Sequence, residues 1–460
     1  MNPLTKNLLQ QLIKKGTAKN YLALFKHFHE ADIAEQLGVL SSEERQLFFK
    51  KVNPEMSVDI LEELDLDQQL DIISQFKTDI AAKFIEEMEP DDAADLLEEL
   101  SETNETQAEN IINALPEKEK SDIKTLLSYE EDSAGALMTS HYVSIPENLL
   151  ISEALKDIKQ QDIPESETSF YIFIVSKQKK LIGYTTLREI ILSPKSNKVS
   201  SIRHEHNIYV DHHTDQEDVA LLFQKYNMSV IPVVDEKKHI LGVITVDDVV
   251  DVVVEEASED IYKLSGTSTN DEKTLTSGSL FKPIIYRIPW LLITILGGLI
   301  ASYIINNYST KFTENLFPLA LSLSFIPLLM GLGGNVGNQS SAIVVRGIAT
   351  GSIKPQRALL MIGREIIIGL GIGLFISLFL FIINIKIYHY SIVFSSIVSG
   401  SLFINISVAT LIGTSLPLLF SKLNIDPAIA SAPFISTTLD VIGQLIYFAI
   451  TLTIIHSFVA

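Results

Sequence analysis

The sequence predicts a multidomain membrane protein with an α-superhelical N domain, a duplicated α/β unit, a long acidic connecting helix and a five-helix transmembrane domain. Three observations lead to this prediction. The 460 residues carry a formal net charge of −21, and that charge is concentrated in the first part of the chain. Apolar stretches of membrane-spanning length recur only after Pro283, and a segment with alternating strand and helix patterns occurs twice before it.

The charge distribution separates two physically different halves. From residue 284 onward there are eight basic and four acidic residues, a net charge of +4, which leaves −25 for the first 283 residues. So acidic a surface repels nucleic acid and attracts cations, and no nucleic-acid partner is expected. The chain has no Cys, which excludes disulfides and thiolate metal sites and agrees with a reducing compartment.

Five stretches of the second half are long and apolar enough to cross a bilayer. A spanning helix needs about 20 mostly apolar residues, and Gly or Pro within such a run does not disqualify it. We therefore predict a transmembrane domain over residues 284–460, embedded in lipid. The predicted spans are 286–306, 316–344, 358–384, 392–420 and 428–458.

Basic residues between the predicted spans set the orientation. With the first half in the cytoplasm, seven basic residues lie at inner ends and two at outer ends, which fits the positive-inside rule. We expect a multi-pass protein of the plasma or inner membrane with a cytoplasmic N-terminus and an external C-terminus. The inner residues are Lys282, Arg287, Arg346, Lys354, Arg357, Arg364 and Lys422, and the outer residues are Lys311 and Lys386.

Asp440 is the most informative residue of the membrane half. It follows Pro427 by 13 residues, which places it roughly 20 Å along the last span. No Lys or Arg follows Lys422, so a carboxylate at this depth suits a cation in a watery path. A hydrogen-bonded structural Asp is the alternative. Ser436 and Gln444 make the same side of the helix polar, and Thr437 and Thr438 are expected to line the path.

A run of small and polar residues interrupts the second predicted span, over residues 331–341. Its glycines allow close approach of helices, and packing alone explains them. Amides at that depth, however, need partners or water. We therefore predict that Asn335, Asn338, Gln339, Ser340 and Ser341 line a narrow passage. The adjacent pair Arg364 and Glu365, at the start of the third span, is interpreted as an interface anchor.

An internal repeat organises residues 131–254. Residues Val175–Glu189 align with Val234–Asp248 at an offset of 59 positions, and each copy reads as strand, turn, strand and helix. The two copies cover about 138–200 and 201–254. The patterns predict helices over 151–160 and 217–226 and apolar strands over Tyr171–Val175 and Val230–Val234.

Residues 1–130 show no strand pattern. Short acidic, amphipathic segments follow one another, separated by helix-start signals, and such a series predicts an α-superhelix. Asp91, Asp92 and Asp95 crowd one helix start, where the helix dipole alone explains them. The predicted helical segments are Asp32–Leu40, Val58–Leu64, Ile80–Met88, Ala93–Leu100 and Ala108–Leu115.

An acidic segment, predicted as a connecting helix over 247–280, joins the repeat to the membrane half. Asp251, Glu255 and Glu259 recur at i, i+4 and i+8, so they share one helix face, and repulsion between them costs a few tenths of a kcal/mol per pair. A solvated acidic face is one explanation. We favour a surface whose repulsion is relieved by Mg²⁺, which binds oxygen ligands. Asp247, Asp248, Glu256 and Asp260 flank this face.

The order of these parts resembles the MgtE family of magnesium channels, with CBS modules as the repeat. The resemblance covers essentially the whole chain. It implies a homodimer with the pore on the two-fold axis. The motifs that carry it are Glu89-Pro90-Asp91-Asp92-Ala93-Ala94-Asp95, Tyr129-Glu130-Glu131-Asp132-Ser133-Ala134-Gly135, Thr245-Val246-Asp247-Asp248, Gly333-Gly334-Asn335-Val336-Gly337-Asn338-Gln339-Ser340, and Asp426-Pro427-Ala428 with Thr438-Leu439-Asp440.

The resemblance also implies which residues bind Mg²⁺. Asp440 of both subunits would bind the hydrated ion in the pore. The acidic helix corresponds to the plug helix of the family, and Asp91 and Asp95 would face it. Asp215 and Glu217 match an acidic site of the family. The regulatory ligands on the acidic helix would be Asp247, Asp248, Asp251, Glu255, Glu256, Glu259 and Asp260.

The CBS resemblance implies adenosine nucleotide binding through a Thr and an acid three residues later. The pairs in this chain are Thr186 with Glu189 and Thr245 with Asp248. Glu189 stands where Asp is more usual, which puts nucleotide binding at the first copy in question. The residues expected to hold ATP are Tyr171, Arg188 and Glu189.

Two further departures from the family pattern concern ion sites. Asn227 stands where an acid occurs in relatives and is expected to weaken one regulatory site. Ala432, just before Pro433, stands near the pore mouth where Asn or Gly occurs, and is expected to alter selectivity or conductance.

The sequence thus predicts a Mg²⁺-selective channel or transporter for Mg²⁺ uptake, shut by cytosolic Mg²⁺. One alternative is a transporter of Co²⁺ or Mn²⁺, although softer metals favour nitrogen or sulfur ligands and no His or Met cluster lies near Asp440. The other is a membrane-anchored nucleotide sensor that transports nothing. No phosphate loop, nucleophile elbow or closed metal triad predicts an enzyme.

Overall fold

The structure, a computed structural model, describes residues 4–161, 170–205, 208–267, 281–309, 319–353 and 358–459. Internal contacts divide the chain into two units, one up to Val252 and one from Val253 onward. The first unit holds a helical domain and two small sheets. The second holds the long apolar helices.

The described residues 4–130 form helices and no strand, as the sequence predicts. Local signals fix where helices begin: the Ser41 hydroxyl accepts a hydrogen bond from Glu44 N–H (3.3 Å), and Pro90 occupies the first turn of the longest helix. That helix is broken at Asn104. The helices are α1 (Lys6–Lys15), α2 (Ala18–His27), α3 (Glu30–Gly38), α4 (Ser42–Phe49), α5 (Val58–Glu62), α6 (Leu66–Ile73), α7 (Thr78–Glu87), α8 (Pro90–Ala114) and α9 (Glu117–Leu126).

Aromatic side chains form the centre of this helical domain. Phe48 and Phe49, at the end of α4, pack edge to face at 5.3 Å between ring centroids. Phe49 packs in turn on Phe84 of α7 at 6.0 Å, and all three are fully buried. Such pairs stabilise a core beyond their buried area, so these aromatic contacts hold α4 against α7.

The repeat folds into two sheets of the same topology. In each, the first strand pairs parallel to the second, and the second pairs antiparallel to the third. Tyr171 pairs with Thr186, and 59 positions later Val230 pairs with Thr245. The strands are β1 (Val143–Pro146), β2 (Tyr171–Val175), β3 (Leu181–Thr186), β4 (Val210–Asp211), β5 (Val230–Val234) and β6 (Ile240–Thr245), and the helices are α10 (Ile151–Ile158), α11 (Leu187–Leu192) and α12 (Gln216–Tyr226).

Asn227 has a structural role at the end of α12. Its φ is +49°, in the left-handed region that ends a helix. Asn tolerates this conformation better than most residues with a side chain. The presence of Asn at this position is therefore explained by backbone geometry.

Helix α13 (Val246–Ser265) begins in the first unit and ends in the second. It ends at Gly266, whose φ is +79°, and Thr267 N–H donates back to Tyr262 O at 3.0 Å. This is the Schellman arrangement that glycine allows. The part of the predicted connecting helix over 268–280 lies outside the described residues.

Six helices make up the described remainder of the second unit. Four helical segments are long and apolar enough to cross a membrane, Pro283–Tyr308, Ala358–Lys386, Ile392–Lys422 and Ala432–Ile454. The helix over residues 326–349 does not meet that criterion, since its Asn, Gln, Ser and Gly residues lower its mean hydropathy. The five-span count therefore stays a prediction. The helices are α14 (Phe281–Ser309), α15 (Leu319–Ser324), α16 (Ile326–Ala349), α17 (Ala358–Lys386), α18 (Ile392–Lys422) and α19 (Ala432–Val459).

The polar helix α16 packs closely against α18 and α19. A Cβ added at Gly413 of α18 would meet the Gly337 carbonyl oxygen and would lie 3.0 Å from the Gly337 Cα. Gly333 is equally crowded by Asn405, whose side-chain amide donates to Leu329 O at 2.7 Å. The backbones of α16 and α18 thus touch, as small residues permit inside membranes.

We predict that Gly413→Ala destabilises the membrane domain. The methyl group would push against the backbone of α16, and overpacking of this kind costs about 1–3 kcal/mol. The melting temperature of the detergent-solubilised protein should fall by several degrees. Gly400→Ala on the same helix is the matched control, because nothing lies within 4 Å of its added Cβ. Equal melting temperatures for the two variants would contradict the close contact.

Candidate functional site

Five carboxylates gather where α5, α8 and α13 meet within the first unit. Glu89 N–H donates to a carboxylate oxygen of Glu62 at 2.8 Å. Asp91 is only 8% exposed, and its Oδ1 has no hydrogen-bond partner among the described residues. Asp248, at the start of α13, accepts a hydrogen bond from the Thr245 hydroxyl. We call Glu62, Glu89, Asp91, Asp92 and Asp248 the acidic cluster.

Burial and mutual repulsion raise the pKa values of all five. Burial is the largest cause for each, and the neighbouring charges that act on them are other carboxylates. The pKa of Glu62 and of Glu89 is raised to about 7, and that of Asp92 to about 8. The pKa of Asp248 is raised to about 6, and that of Asp91 lies well above its ordinary value.

This arrangement is chemically suited to a hard divalent cation. Buried carboxylates that repel one another are stabilised either by protons or by a metal ion. Mg²⁺ takes carboxylate oxygens and keeps several waters. The residues present therefore fit Mg²⁺, and Asp91 with its unpartnered oxygen is the most evident ligand.

The acidic cluster contains two of the predicted regulatory residues, Asp91 and Asp248. Three others act on it through their charges: Asp247 on Glu89, Asp95 on Asp92, and Asp251 on Asp248. The predicted set missed Glu62, Glu89 and Asp92. Glu89 and Asp92 belong to the motif over residues 89–95, so the sequence could have indicated them. No local pattern indicates Glu62, because it contacts Glu89 across 27 residues of sequence.

The far end of α13 holds a second charged group, inside the second unit. Lys263 pairs with Glu259, one turn earlier, and with Asp426 at 2.7 Å. The pKa of Asp260 is raised to about 6. Burial is the largest cause and repulsion from Asp426 the next, while the positive charges of Lys263 and Arg346 lower it. Glu259 and Asp260 were predicted as Mg²⁺ ligands, and the structure places a lysine ammonium between Glu259 and Asp426.

The other predicted regulatory residues lie outside these two groups. Asp215 precedes α12, and its carboxylate accepts a hydrogen bond from Glu217 N–H at 2.8 Å. Both residues therefore serve the start of that helix. Glu255 and Glu256 lie on α13 between its two ends.

The surroundings of Asp440 are polar on one side. Asp440 is half-buried on α19. One turn earlier, the Ser436 hydroxyl accepts a hydrogen bond from the Asn338 amide of α16 at 3.0 Å. Thr437 packs against Gly297 of α14. Thr438 donates to Phe434 O of its own helix. The bond between Asn338 and Ser436 therefore joins α16 to α19 one turn from Asp440.

Asn335 and Gln339 lie on a different face of α16. Both are exposed, together with Gly331, at a spacing of one turn each. The structure thus separates them from Asn338, which turns inward. Ala432 begins α19 and is half-buried. Beside it, Pro433 Cδ would lie 3.0 Å from a Cβ added at Gly266, so the end of α13 contacts the start of α19.

The predicted nucleotide residues line one cavity in the first CBS copy. Tyr171, Arg188 and Glu189 surround a volume of about 840 Å³. The Glu189 carboxylate accepts hydrogen bonds from Thr186 N–H (3.1 Å), from the Thr185 hydroxyl (3.0 Å) and from His204 (2.8 Å). The longer side chain of Glu therefore folds back on its own helix start. The second predicted pair differs, because Asp248 belongs to the acidic cluster.

Comparisons with known proteins identify the class to which this fold and these sites belong. Family models match for a divalent cation transporter (residues 326–450), the MgtE intracellular N domain (28–132) and CBS domains (134–195 and 199–255). The chain is thus a multi-pass membrane protein of a transporter family, with a cytosolic N domain and a CBS pair.

Individual relatives give the particular family. The magnesium transporter MgtE of Thermus thermophilus is 33% identical over 446 residues, which covers 96% of each chain. The magnesium transporter MgtE of Bacillus subtilis is 34% identical over 348 residues, 75% of each chain. A crystal structure of the cytosolic domain of the Mg²⁺ channel MgtE in complex with ATP matches with TM-score 0.50 and 29% identity, over 54% of this chain and 99% of that one. This chain belongs to the MgtE family.

We predict that, without divalent cations, the stability of the first unit falls as pH rises. Carboxylates whose folded pKa lies near 7 bind protons that the unfolded chain, with pKa about 4, has already lost. The stabilisation is complete below about pH 4 and is lost as pH rises through the folded pKa values of 6 to 8. Calorimetry of the full chain in chelator should show this decline, and Mg²⁺ should reverse it at the alkaline end.

Asp92→Asn removes one charge from the acidic cluster and should reduce the pH slope. Asp67→Asn, at an exposed position of α6, is the matched control and should leave the slope unchanged. A wild-type unfolding temperature that does not vary between about pH 5.5 and 8.5 would contradict the assignment of repulsion to these residues.

Proposed function

We propose that this protein is a Mg²⁺-selective channel that mediates Mg²⁺ uptake. The observation that carries the proposal is Asp440, an acid in a membrane-spanning helix beside the Asn338 and Ser436 pair. An ionisable group in such a helix is costly unless it serves an ion path. Carboxylate, amide and hydroxyl oxygens suit a hard, hydrated cation. The names of the relatives from Thermus thermophilus and Bacillus subtilis support the same ion.

The exposed polar face of α16 supports a homodimer with a pore on its two-fold axis. Asn335 and Gln339 would each meet lipid in a single copy of the chain, which is unfavourable because amides need partners. A second copy, or water between two copies, would supply them. In this arrangement α16 also crosses the membrane, as the second of five spans in chain order. Its polar residues reduce its hydropathy without preventing a crossing, because α18 and α19 cover its other faces.

Gating follows from the acidic cluster. With Mg²⁺ bound, its carboxylates are neutralised and the first unit is compact; without Mg²⁺, their repulsion loosens it. Helix α13 continues from this unit to Lys263 and the contact of Gly266 with Pro433, so it is the proposed connecting helix that carries the change to the pore. A ligand shifts such an equilibrium only by its preference for one state, here the closed one.

The proposed topology places the N domain and the CBS pair in the cytoplasm and the C-terminus outside. The basic residues at the inner ends of the spans support it through the positive-inside rule. Regulation by cytosolic Mg²⁺ requires the same orientation, because the acidic cluster must sample the ion concentration inside the cell.

We propose ATP as a second ligand, in the cavity bordered by Tyr171, Arg188 and Glu189. An aromatic ring, a guanidinium and a carboxylate are suited to a base, a phosphate and a ribose respectively. The relative whose cytosolic domain is described in complex with ATP supports this assignment. Transport of Co²⁺ or Mn²⁺, and a sensor without transport, are the alternatives that a flux assay distinguishes.

The pore assignment predicts that Asp440→Asn abolishes flux. Purified protein in liposomes with a Mg²⁺-sensitive dye should show at least a tenfold lower initial rate, because loss of the charge removes the attraction for a dication. Parallel traces with Co²⁺, Mn²⁺ and Ca²⁺ test selectivity. Asp426→Asn is the matched control: it removes an acid of the same domain that is already paired with Lys263, so conduction should persist. Wild-type flux through Asp440→Asn would remove this residue from the pore.

The gating assignment predicts that the triple variant Asp91→Asn, Asp92→Asn, Asp248→Asn no longer responds to cytosolic Mg²⁺. Neutral amides neither repel one another nor hold a dication as carboxylates do. Patch recordings should show the same open probability in low and in millimolar internal Mg²⁺. Asp67→Asn should keep the wild-type response. Closure of the triple variant by millimolar Mg²⁺ would contradict a regulatory role for the acidic cluster.

A further inference from the structure

A cluster of metal-ligating side chains lies outside every site described above. Asp211 ends β4, and His212 and His213 follow in the turn that leads to α12. One ligand atom from each residue lies within 4.8 Å of the others. Two ligands of one ion at about 2.0–2.2 Å from it are about 3–4 Å apart, so small side-chain rotations bring all three onto a common ion.

The backbone of this turn is held from several directions. His212 N–H donates to Val234 O (3.2 Å), and its carbonyl accepts from Gly135 N–H (2.9 Å). The Asp211 carboxylate accepts from His213 N–H at 3.0 Å. Three consecutive side chains therefore leave from fixed positions, which lowers the entropy lost when they bind a common ligand.

The imidazole ring of His212 is packed between neighbouring rings, yet one of its nitrogens has no hydrogen-bond partner among the described residues. Its ring packs against Tyr129 at 5.4 Å and against His213 at 3.9 Å between centroids. The side chain is 16% exposed, and Nδ1 is buried without a hydrogen-bond partner among the described residues. Asp211 Oδ1 lies 3.5 Å from that nitrogen, which is too long for a good hydrogen bond. A buried polar nitrogen of this kind costs free energy.

The donor set differs from that of the acidic cluster and of the pore. Two imidazole nitrogens and one carboxylate suit ions of borderline softness, whereas Mg²⁺ prefers oxygen alone. Three protein ligands also leave a coordination position for water. The chemistry therefore distinguishes this turn from the sites proposed for Mg²⁺.

We propose that Asp211, His212 and His213 form a binding site for a divalent transition-metal ion such as Zn²⁺ or Co²⁺, on the second CBS copy and separate from the Mg²⁺ sites. A contact between the His212 and Asp211 side chains that binds no metal is the alternative explanation of this geometry. The two explanations differ in what they bind, so a direct titration separates them.

The experiment is a Co²⁺ titration of the full-length protein in detergent with excess Mg²⁺ to saturate the oxygen sites. Absorption bands of nitrogen-bound Co²⁺ should appear with one equivalent per chain, and Zn²⁺ should displace it. His213→Gln removes an exposed ligand without disturbing the buried ring of His212, and should weaken Co²⁺ binding at least tenfold. Asp211→Asn keeps an oxygen to accept the His213 N–H bond but loses the charge, and should also weaken binding.

His27→Gln is the control, because His27 is exposed on α2 and bonds Ala23 O of its own helix. It should bind Co²⁺ as the wild type does. The proposal is overturned if the wild type gives no saturable equivalent, or if His213→Gln and His27→Gln bind equally. Unchanged melting temperatures for the variants confirm that any loss reflects the site and not the fold.

Discussion

Repulsion between buried carboxylates is the constraint on which the cytosolic half of this protein depends. At the start of α8, Asp91 is buried and Asp92 is exposed, and Asp248 at the start of α13 repels both, together with other negative charges. Such a contact is stable only when protons or cations neutralise it. Under the proposed gating, protons and Mg²⁺ would compete for the same carboxylates, and near neutral pH, where the folded pKa values lie, the cation would decide how tightly α8 and α13 hold together.

The carboxylates at the two ends of α13 have different neighbours. At its start, Asp248 faces acids of the helical domain. At its end, Lys263, a cation built into the chain, pairs with both Glu259 and Asp426. A covalently attached cation keeps its contact at any Mg²⁺ concentration, whereas the start depends on what the solution supplies. An element that is fixed at one end and conditional at the other can couple binding at its start to the position of its end, and this coupling is reciprocal.

Local patterns explain why so much of the fold could be predicted. The repeat predicted strands Tyr171–Val175 and Val230–Val234, and both are observed with these bounds, because β-branched runs and turn residues act over a few positions. Contacts across long sequence distances could not be predicted in this way. Glu62 reaches Glu89 through the packing of several helices. Glu365, interpreted as an interface anchor beside Arg364, is instead buried and accepts a hydrogen bond from Ser340 at 3.2 Å.

Helix α16 does not meet the hydropathy criterion for a membrane span because of the polar and small residues that make its contacts. Its glycines bring α18 into backbone contact at Gly413, and its inward amide, Asn338, reaches Ser436 one turn from Asp440. Each of these contacts requires a residue that is small or polar, so the features that would build the proposed ion path are the same ones that lower the mean hydropathy of the helix. Asn335 and Gln339 remain on its exposed face. One Asp440 carries half the charge of a dication, and a second copy of the chain, set against that face, would supply both the covering surface and the second carboxylate.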